Sequence, residues 1–195
     1  MFSSPCKKIY LALTLQINFN MAVATFDSPY QEILQEHAIL LERKMPKQEF
    51  VNFALRHKHV KMERESDGTV IIYPMVKRGT SKREGNAYFH LALWQRQTGL
   101  GEVHGGNAGF DLEDESTRSP DAAWISDERL ALLPEEESEV GFMDVAPDFV
   151  IEVCSSSDSL EKLKTKMENT WMENGVRLAW LIDPYEEKAY VYREN

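Results

Sequence analysis

Two carboxylates and a short run of lysines could carry out chemistry in this sequence. Asp121 follows Pro120 in SPDAAWIS, and Glu152 sits in the middle of PDFVIEV. Downstream, SLEKLKTKM supplies Lys162, Lys164 and Lys166. Magnesium is a hard cation held by one or two carboxylates together with water and phosphate oxygens. Two acidic groups on neighbouring strands can hold it beside a phosphodiester, and a lysine can steady the attacking water or the charge developing at phosphorus. Pro-Asp pairs also open ordinary strands, so spacing leaves a structural reading of Asp121 and Glu152 open beside the catalytic one. Glu152 makes the choice pressing, because a carboxylate buried in an apolar strand is costly unless paired or bound to metal. Asp148, behind Pro147 at the start of the same strand, reads as a turn or edge residue.

The elements that must place these groups follow from periodicity. In PDFVIEVC, Phe149, Ile151 and Val153 face one side and Val150, Glu152 and Cys154 the other, so the strand is covered on both faces. A long helix over 158–174 follows, then the strands LAWLID and AYVYR with Asp183-Pro184 in the turn between them. On a helical wheel Leu160, Leu163, Met167 and Trp171 form the buried stripe, with Lys164 about 55° and Lys166 about 105° from its centre. Upstream, the pattern predicts an amphipathic helix over 31–44, then a second helix, KQEFVNFALRH, with Pro46 in its first turn. His57 and His59 end that helix and read as solvent-facing or as complements to its dipole. Asp67-Gly68 marks the turn of a hairpin over 60–74. The nearly all-apolar run through Ala87–Trp94 predicts a helix over 81–98 buried on most sides, with His90 at the core or its border. Short strands are expected near 101–104, 107–112 and 121–126. The glycines at 99, 101, 105, 106 and 109 are not a phosphate loop, since no Lys-Ser/Thr follows them.

A chain of 195 residues matches one domain with room for a real core, and 43% hydrophobic content is ordinary for a soluble protein. The net charge of −10 argues at first against nucleic acid, whose binders carry a basic footprint. Its distribution changes that reading. Residues 111–144 hold twelve acidic side chains against Arg118 and Arg129, so the remainder is neutral overall. Within it, residues 77–96 carry Lys77, Arg78, Lys82, Arg83 and Arg96 against Glu84 alone. That basic strip suits phosphate contacts, although a solvated charged face has the same composition.

Cys6 and Cys154 are far apart and match no metal-ligand spacing, which fits a reduced, cytoplasmic setting. Near the start, Lys7-Lys8 and IYLALTL have something of a signal peptide, with Ala22-Val-Ala24 as a cleavage site. QINFN breaks the apolar run well short of the ~20 residues a membrane span needs, and Met21 opens a conventional start. Residues 1–24 are therefore expected to be a disordered extension or a misplaced start, and 25–195 a single domain.

From about residue 46 to its end the chain resembles the Uma-type putative restriction endonuclease family, a branch of the PD-(D/E)XK nuclease superfamily. The resemblance runs through MERESDGTVIIYPM, GNAYFHLALW, GLGEV, NAGFDL, RSPDAAWIS, PDFVIEVCSSSDSL and NGVRLAWLIDP, ending in AYVYR. It implies a restriction-endonuclease-like α/β fold with a central mixed sheet flanked by helices, and Asp121 and Glu152 as the metal carboxylates. Glu63, in MER, matches a further acidic position and takes a supporting role; the residue-level alternative is an exposed hairpin glutamate paired with Arg64 or Lys61.

Three departures stand out. Cys154 occupies the place of the superfamily's lysine, which in this family is thought to come from the next helix. Matching forward from SSSDSL selects Lys166, whereas matching backward from NGVRLAW lands on Met167, because one extra residue lies between. The wheel favours Lys164, so Lys166 is the first candidate and Lys164 the second. Finally, the family usually continues beyond the point where this chain ends. The function expected is a Mg²⁺- or Mn²⁺-dependent DNA endonuclease with Lys77, Arg78, Lys82 and Arg83 on the nucleic acid. DNA and a divalent metal are its partners, no membrane is involved, and a homodimer is left open. The alternative is a catalytically inactive protein of the same fold serving as a binding or assembly module.

Overall fold

The computed structural model describes residues 39–41, 44–134 and 141–194. Among them run two five-stranded sheets, with one strand of the second falling in sequence between the third and fourth strands of the first. The first is antiparallel, in the order β1-β3-β2-β6-β5, built from β1 (Ile39–Leu40), β2 (Met62–Arg64), β3 (Val70–Ile72), β5 (Phe110–Asp111) and β6 (Thr117–Arg118). The second is mixed, in the order β10-β9-β8-β7-β4, from β4 (Glu102–Gly105), β7 (Ala122–Ile125), β8 (Phe149–Val153), β9 (Leu178–Asp183) and β10 (Lys188–Arg193). Only β8 and β9 run parallel, because a helical crossover joins them. The expected mixed sheet with flanking helices is this second sheet. The antiparallel sheet beside it is an addition that the sequence did not announce.

Both faces of β8 are covered, as its apolar run requires. Val150 and Cys154 pack on one face with Ala123, Ile125, Ala179, Leu181, Met167 and Trp171. Ile151 and Val153 pack on the other with Ala122 and Leu91. The first face is roofed by helix α4 (Leu160–Thr165), which continues without a break as a π-helix over Lys166–Met172. Helix α2 (Arg78–Thr98) lies on the second face, over β4, β7 and β8. Helix α1 (Lys47–Arg56) buries Phe50 and Phe53 against the antiparallel sheet. A short α3 (Asp127–Leu130) follows β7, its first turn capped by the Ser126 hydroxyl. The hairpin turn falls at Asp67-Gly68, where Gly68 takes φ +90°, a conformation that suits glycine. Among the described residues no helix is long and apolar enough to cross a membrane.

Several expectations need correcting. Residues 31–38, 42 and 43 of the first expected helix lie outside the described residues, as do residues 1–24. Ile39–Leu40, at the far end of that helix, is instead a strand paired with β3. Pro46 precedes α1 as its cap residue and is not inside the first turn. Helix α2 is not buried on most sides: only Thr80 and Leu91 are buried, while Tyr88, Phe89, Leu93 and Trp94 are 40–58% exposed. A helix can press only one flank on a sheet, and among the described residues nothing packs over the opposite flank. His90 shares that exposure.

Asp148 is more than an edge residue. It is 3% exposed, accepts from the Ser126 amide at 2.7 Å and pairs with Arg129 Nε at 3.2 Å and Arg177 at 2.9 Å. Its Oδ1 makes only those ion pairs, so the carboxylate ties the start of β8 to α3 and β9. Removing one partner of a buried pair leaves the other charge uncompensated, at a cost of about 3–5 kcal/mol. Asp148→Ala should destabilise the fold by that amount in urea unfolding, equally with and without Mg²⁺.

Candidate active site

The polypeptide passes between the sheets for the last time at Ser119-Pro120, between β6 and β7. Asp121 is the first residue past that crossing. The antiparallel pairs Ala122↔Ile151 and Ala123↔Val150, continued by one residue, set Asp121 opposite Glu152. Asp121 Oδ2 accepts the Val153 amide at 2.7 Å, which pins it to the end of β8. Glu152 lies on the face of β8 roofed by the α4 helix, as the alternation requires. There its Oε1 meets two donors, Lys166 Nζ at 2.8 Å and the Trp171 indole N–H at 2.9 Å.

Lys166 is therefore the lysine of the site, and the conflict between sequence matching and helix geometry has a structural answer. The wheel assumed an α-helix, but Lys166 begins the π-helical stretch. A π turn closes i→i+5 and takes up one more residue than an α turn. From Lys166 onward each residue therefore turns through a smaller angle than the wheel assumed. Lys164 stays outside: it pairs with Glu161 at 2.9 Å and lies 4.8 Å over the Tyr190 ring.

Glu63 is not an exposed hairpin residue paired with its neighbours. At 1% exposure it is closed on all sides, because β2 is an interior strand of its sheet facing the seam. Its Oε2 accepts from Tyr73 at 3.0 Å and pairs with Arg118 at 3.4 Å, and its Oε1 accepts from the Ser119 amide at 3.2 Å and faces Lys166 at 3.6 Å. Burial alone would raise its carboxyl, but Lys166, Arg118 and Lys61 outweigh burial and hold it below its ordinary value. Burial likewise disfavours the Lys166 charge, and Glu152 and Glu63 overcome it, so the ammonium stays protonated well above its usual range.

The oxygens left over decide what the site can bind. Among the described residues, hydrogen bonds and ion pairs engage both oxygens of Glu63 but only one each of Asp121 and Glu152. Two adjacent carboxylates with one open oxygen each suit magnesium, which keeps several waters and takes one or two protein carboxylates. Among the described residues no group of three or more His, Cys, Asp or Glu side chains could hold a metal ion, so an ion here would rest on two carboxylates and water. Asp121 and Glu152 fit a hydrated ion; Glu63 does not, and anchors Lys166 instead. The lysine position of the superfamily is closed too, since Cys154 is 4% exposed and burial pushes its thiol up to about 12.

Other site neighbours escaped the sequence reading. Tyr73 and Arg118 come from the far sheet. Lys61 and Glu84 lie close enough for their charges to act on Asp121. Glu84, half-buried near the start of α2, has its carboxyl raised by burial and by Glu152, against Lys61. Trp171 was legible only as core. The basic strip begins beside Glu84: Lys77, Arg78 and Lys82 are exposed, whereas Arg83 donates to the Tyr185 hydroxyl at 3.2 Å. None of the four touches Asp121, Glu152 or Lys166.

The Asp121 carboxyl is pushed up to about 7, first by burial and then by the Glu152 charge. An unfolded aspartate ionises near ~3.9. Between about pH 4 and 7 the folded chain thus retains a proton that the unfolded chain has released, and metal-free stability should fall as pH rises through that window. Asp121→Asn removes the titration and should flatten the fall. Chemical unfolding in EDTA at several pH values checks this, and an unchanged slope in the variant would refute it.

The family model Uma2, described as "Putative restriction endonuclease", matches residues 48–195. Among solved structures, one described as a putative nuclease belonging to DUF820, from Anabaena variabilis, superposes with a TM-score of 0.57 at 22% identity. The alignment covers 68% of this chain and 71% of that one, and at such identity it speaks for the fold. No curated protein matches the chain. Because that match takes in most of the chain, including Glu63, Asp121, Glu152 and Lys166, the chain belongs to the Uma2 family of restriction-endonuclease-like proteins.

Proposed function

We propose that the protein is a metal-dependent endonuclease that hydrolyses phosphodiester bonds in DNA. The observation that carries this reading is the pairing of Asp121 and Glu152, each with one oxygen tied and one open, beside the buried ammonium of Lys166. Membership of a family described as restriction endonucleases supports it. Asp121 and Glu152 would hold Mg²⁺ or Mn²⁺, which when bound lowers the pKa of water and neutralises phosphate charge. The Val153 amide keeps Asp121 in place for that purpose. Lys166, held protonated by Glu152 and Glu63, offers positive charge to the scissile phosphate as negative charge builds on its oxygens. Water attacks phosphorus, the bond to the leaving oxygen breaks, and the leaving oxygen takes a proton. Lys77, Arg78 and Lys82 extend this charge along α2 as sequence-independent phosphate contacts, with Arg83 contributing once it leaves Tyr185.

The alternative, an inactive module of the same fold, drew on Cys154 standing at the superfamily's lysine position. The contact of Lys166 with Glu152 from the next helix weakens that ground.

Incubation of supercoiled plasmid with the purified protein tests the proposal. Nicking or linearisation is expected with Mg²⁺ or Mn²⁺ and none in EDTA. Asp121→Asn should abolish cleavage, and Lys166→Ala should slow it by about a hundredfold or more, the scale of losing one group that stabilises developing charge. Folded, metal-loaded protein that leaves both supercoiled and single-stranded DNA intact would favour the binding module.

A further inference from the structure

Lys166 and Trp171 are five residues apart, and in an α-helix their side chains would diverge by about 140°. The π-helical stretch Lys166–Met172 brings them to one side. Five-residue hydrogen bonds run from the Glu173 amide to Glu168 O and from the Val176 amide to Trp171 O, both 3.1 Å. As a result the Lys166 ammonium lies 5.8 Å from the centre of the Trp171 ring, and both side chains reach the same atom, Glu152 Oε1. Trp171 is fully buried. A buried indole N–H needs an acceptor, and any backbone carbonyl would satisfy it; here the acceptor is a candidate metal ligand. Oε2 of the same carboxylate receives no donor among the described residues.

We propose that Trp171 is a positioning residue that holds Glu152 by Oε1 so that Oε2 faces the metal, with the π turn as the device that delivers Trp171 and Lys166 to one oxygen. The inference rests on the metal-binding reading given above. It adds to that reading a neutral hydrogen bond behind the ligand, of the kind whose loss costs metal affinity without touching the ion.

The experiment uses the full-length chain, ¹⁵N-labelled, and follows its indole N–H resonances by NMR during titration with Mg²⁺ alone. Metal on Oε2 draws charge from the carboxylate and weakens the bond at Oε1. The Trp171 indole proton should therefore move upfield in step with metal saturation, while those of Trp94 and Trp180, 40% and 37% exposed, stay in place. Trp171→Phe keeps an aromatic ring in the core but lacks the N–H, and should weaken Mg²⁺ binding by about tenfold or more in calorimetry. If the native chain binds Mg²⁺ while the Trp171 signal stays still and Trp171→Phe binds equally well, Trp171 is core alone and the inference falls, with the metal site intact. If the native chain binds no Mg²⁺ and behaves like Glu152→Gln, the metal reading falls and this inference with it. Should Trp171→Phe fail to fold, the titration of the native chain decides, its Trp171 signal assigned by exclusion through W94F, W124F and W180F.

Discussion

A single ammonium joins the two halves of this fold. Lys166 sits between Glu152, in the mixed sheet, and Glu63, in the antiparallel one, at 2.8 and 3.6 Å. A buried charge is tolerated only when companions offset its lost hydration. Glu63 can be buried in β2 because Lys166 and Arg118 face it, and Lys166, 19% exposed, can be drawn into the seam because two carboxylates face it. Truncating any of the three would strand the others. The seam between the sheets is therefore fixed by electrostatics as well as by apolar packing, and the candidate site lies on that seam.

The same seam explains how the acidic side chains divide their tasks. Asp148 and Glu63 are surrounded by donors and cations and hold structure. Arg118 links the seam outward to Glu65 as well as inward to Glu63. Asp121 and Glu152 are bound through one oxygen each, so the backbone and the helix orient them without exhausting them. The cost appears in Asp121, whose carboxyl is raised by burial and by its neighbour's charge. Two carboxylates held this close disfavour each other's charged form.

Much of the architecture was legible before any coordinates. Alternation along PDFVIEVC put Glu152 and Cys154 on the opposite face from Ile151, and that is how β8 packs. Asp67-Gly68 announced the hairpin, and the apolar run after Gly79 announced a helix. What misled was exposure. A run such as Ala87–Trp94 states that a helix is apolar, but how many neighbours it meets depends on which flank the sheet occupies. The expected helix ending near Ile39 failed for a related reason: apolar spacing at its end suited a helix, yet a hydrogen-bonded partner in β3 was on offer.

By itself the sequence determined the residue types that could do chemistry, the strand that carries Glu152, the strand that Asp121 precedes, and a lysine-bearing helix after them. These follow from local patterns of period two and from the residues flanking each element. Only the tertiary structure decided which lysine meets Glu152, that Glu63 is buried and fully engaged, and that the Trp171 indole donates to Glu152. Each of those depends on groups far apart in sequence meeting at the crossing between two sheets, or on a helix that departs from its usual period. A wheel drawn with α-helical spacing cannot show Lys166 and Trp171 side by side, because one added residue changes the angle between them, and the packing against β8 and β9 determines where the chain takes that residue up.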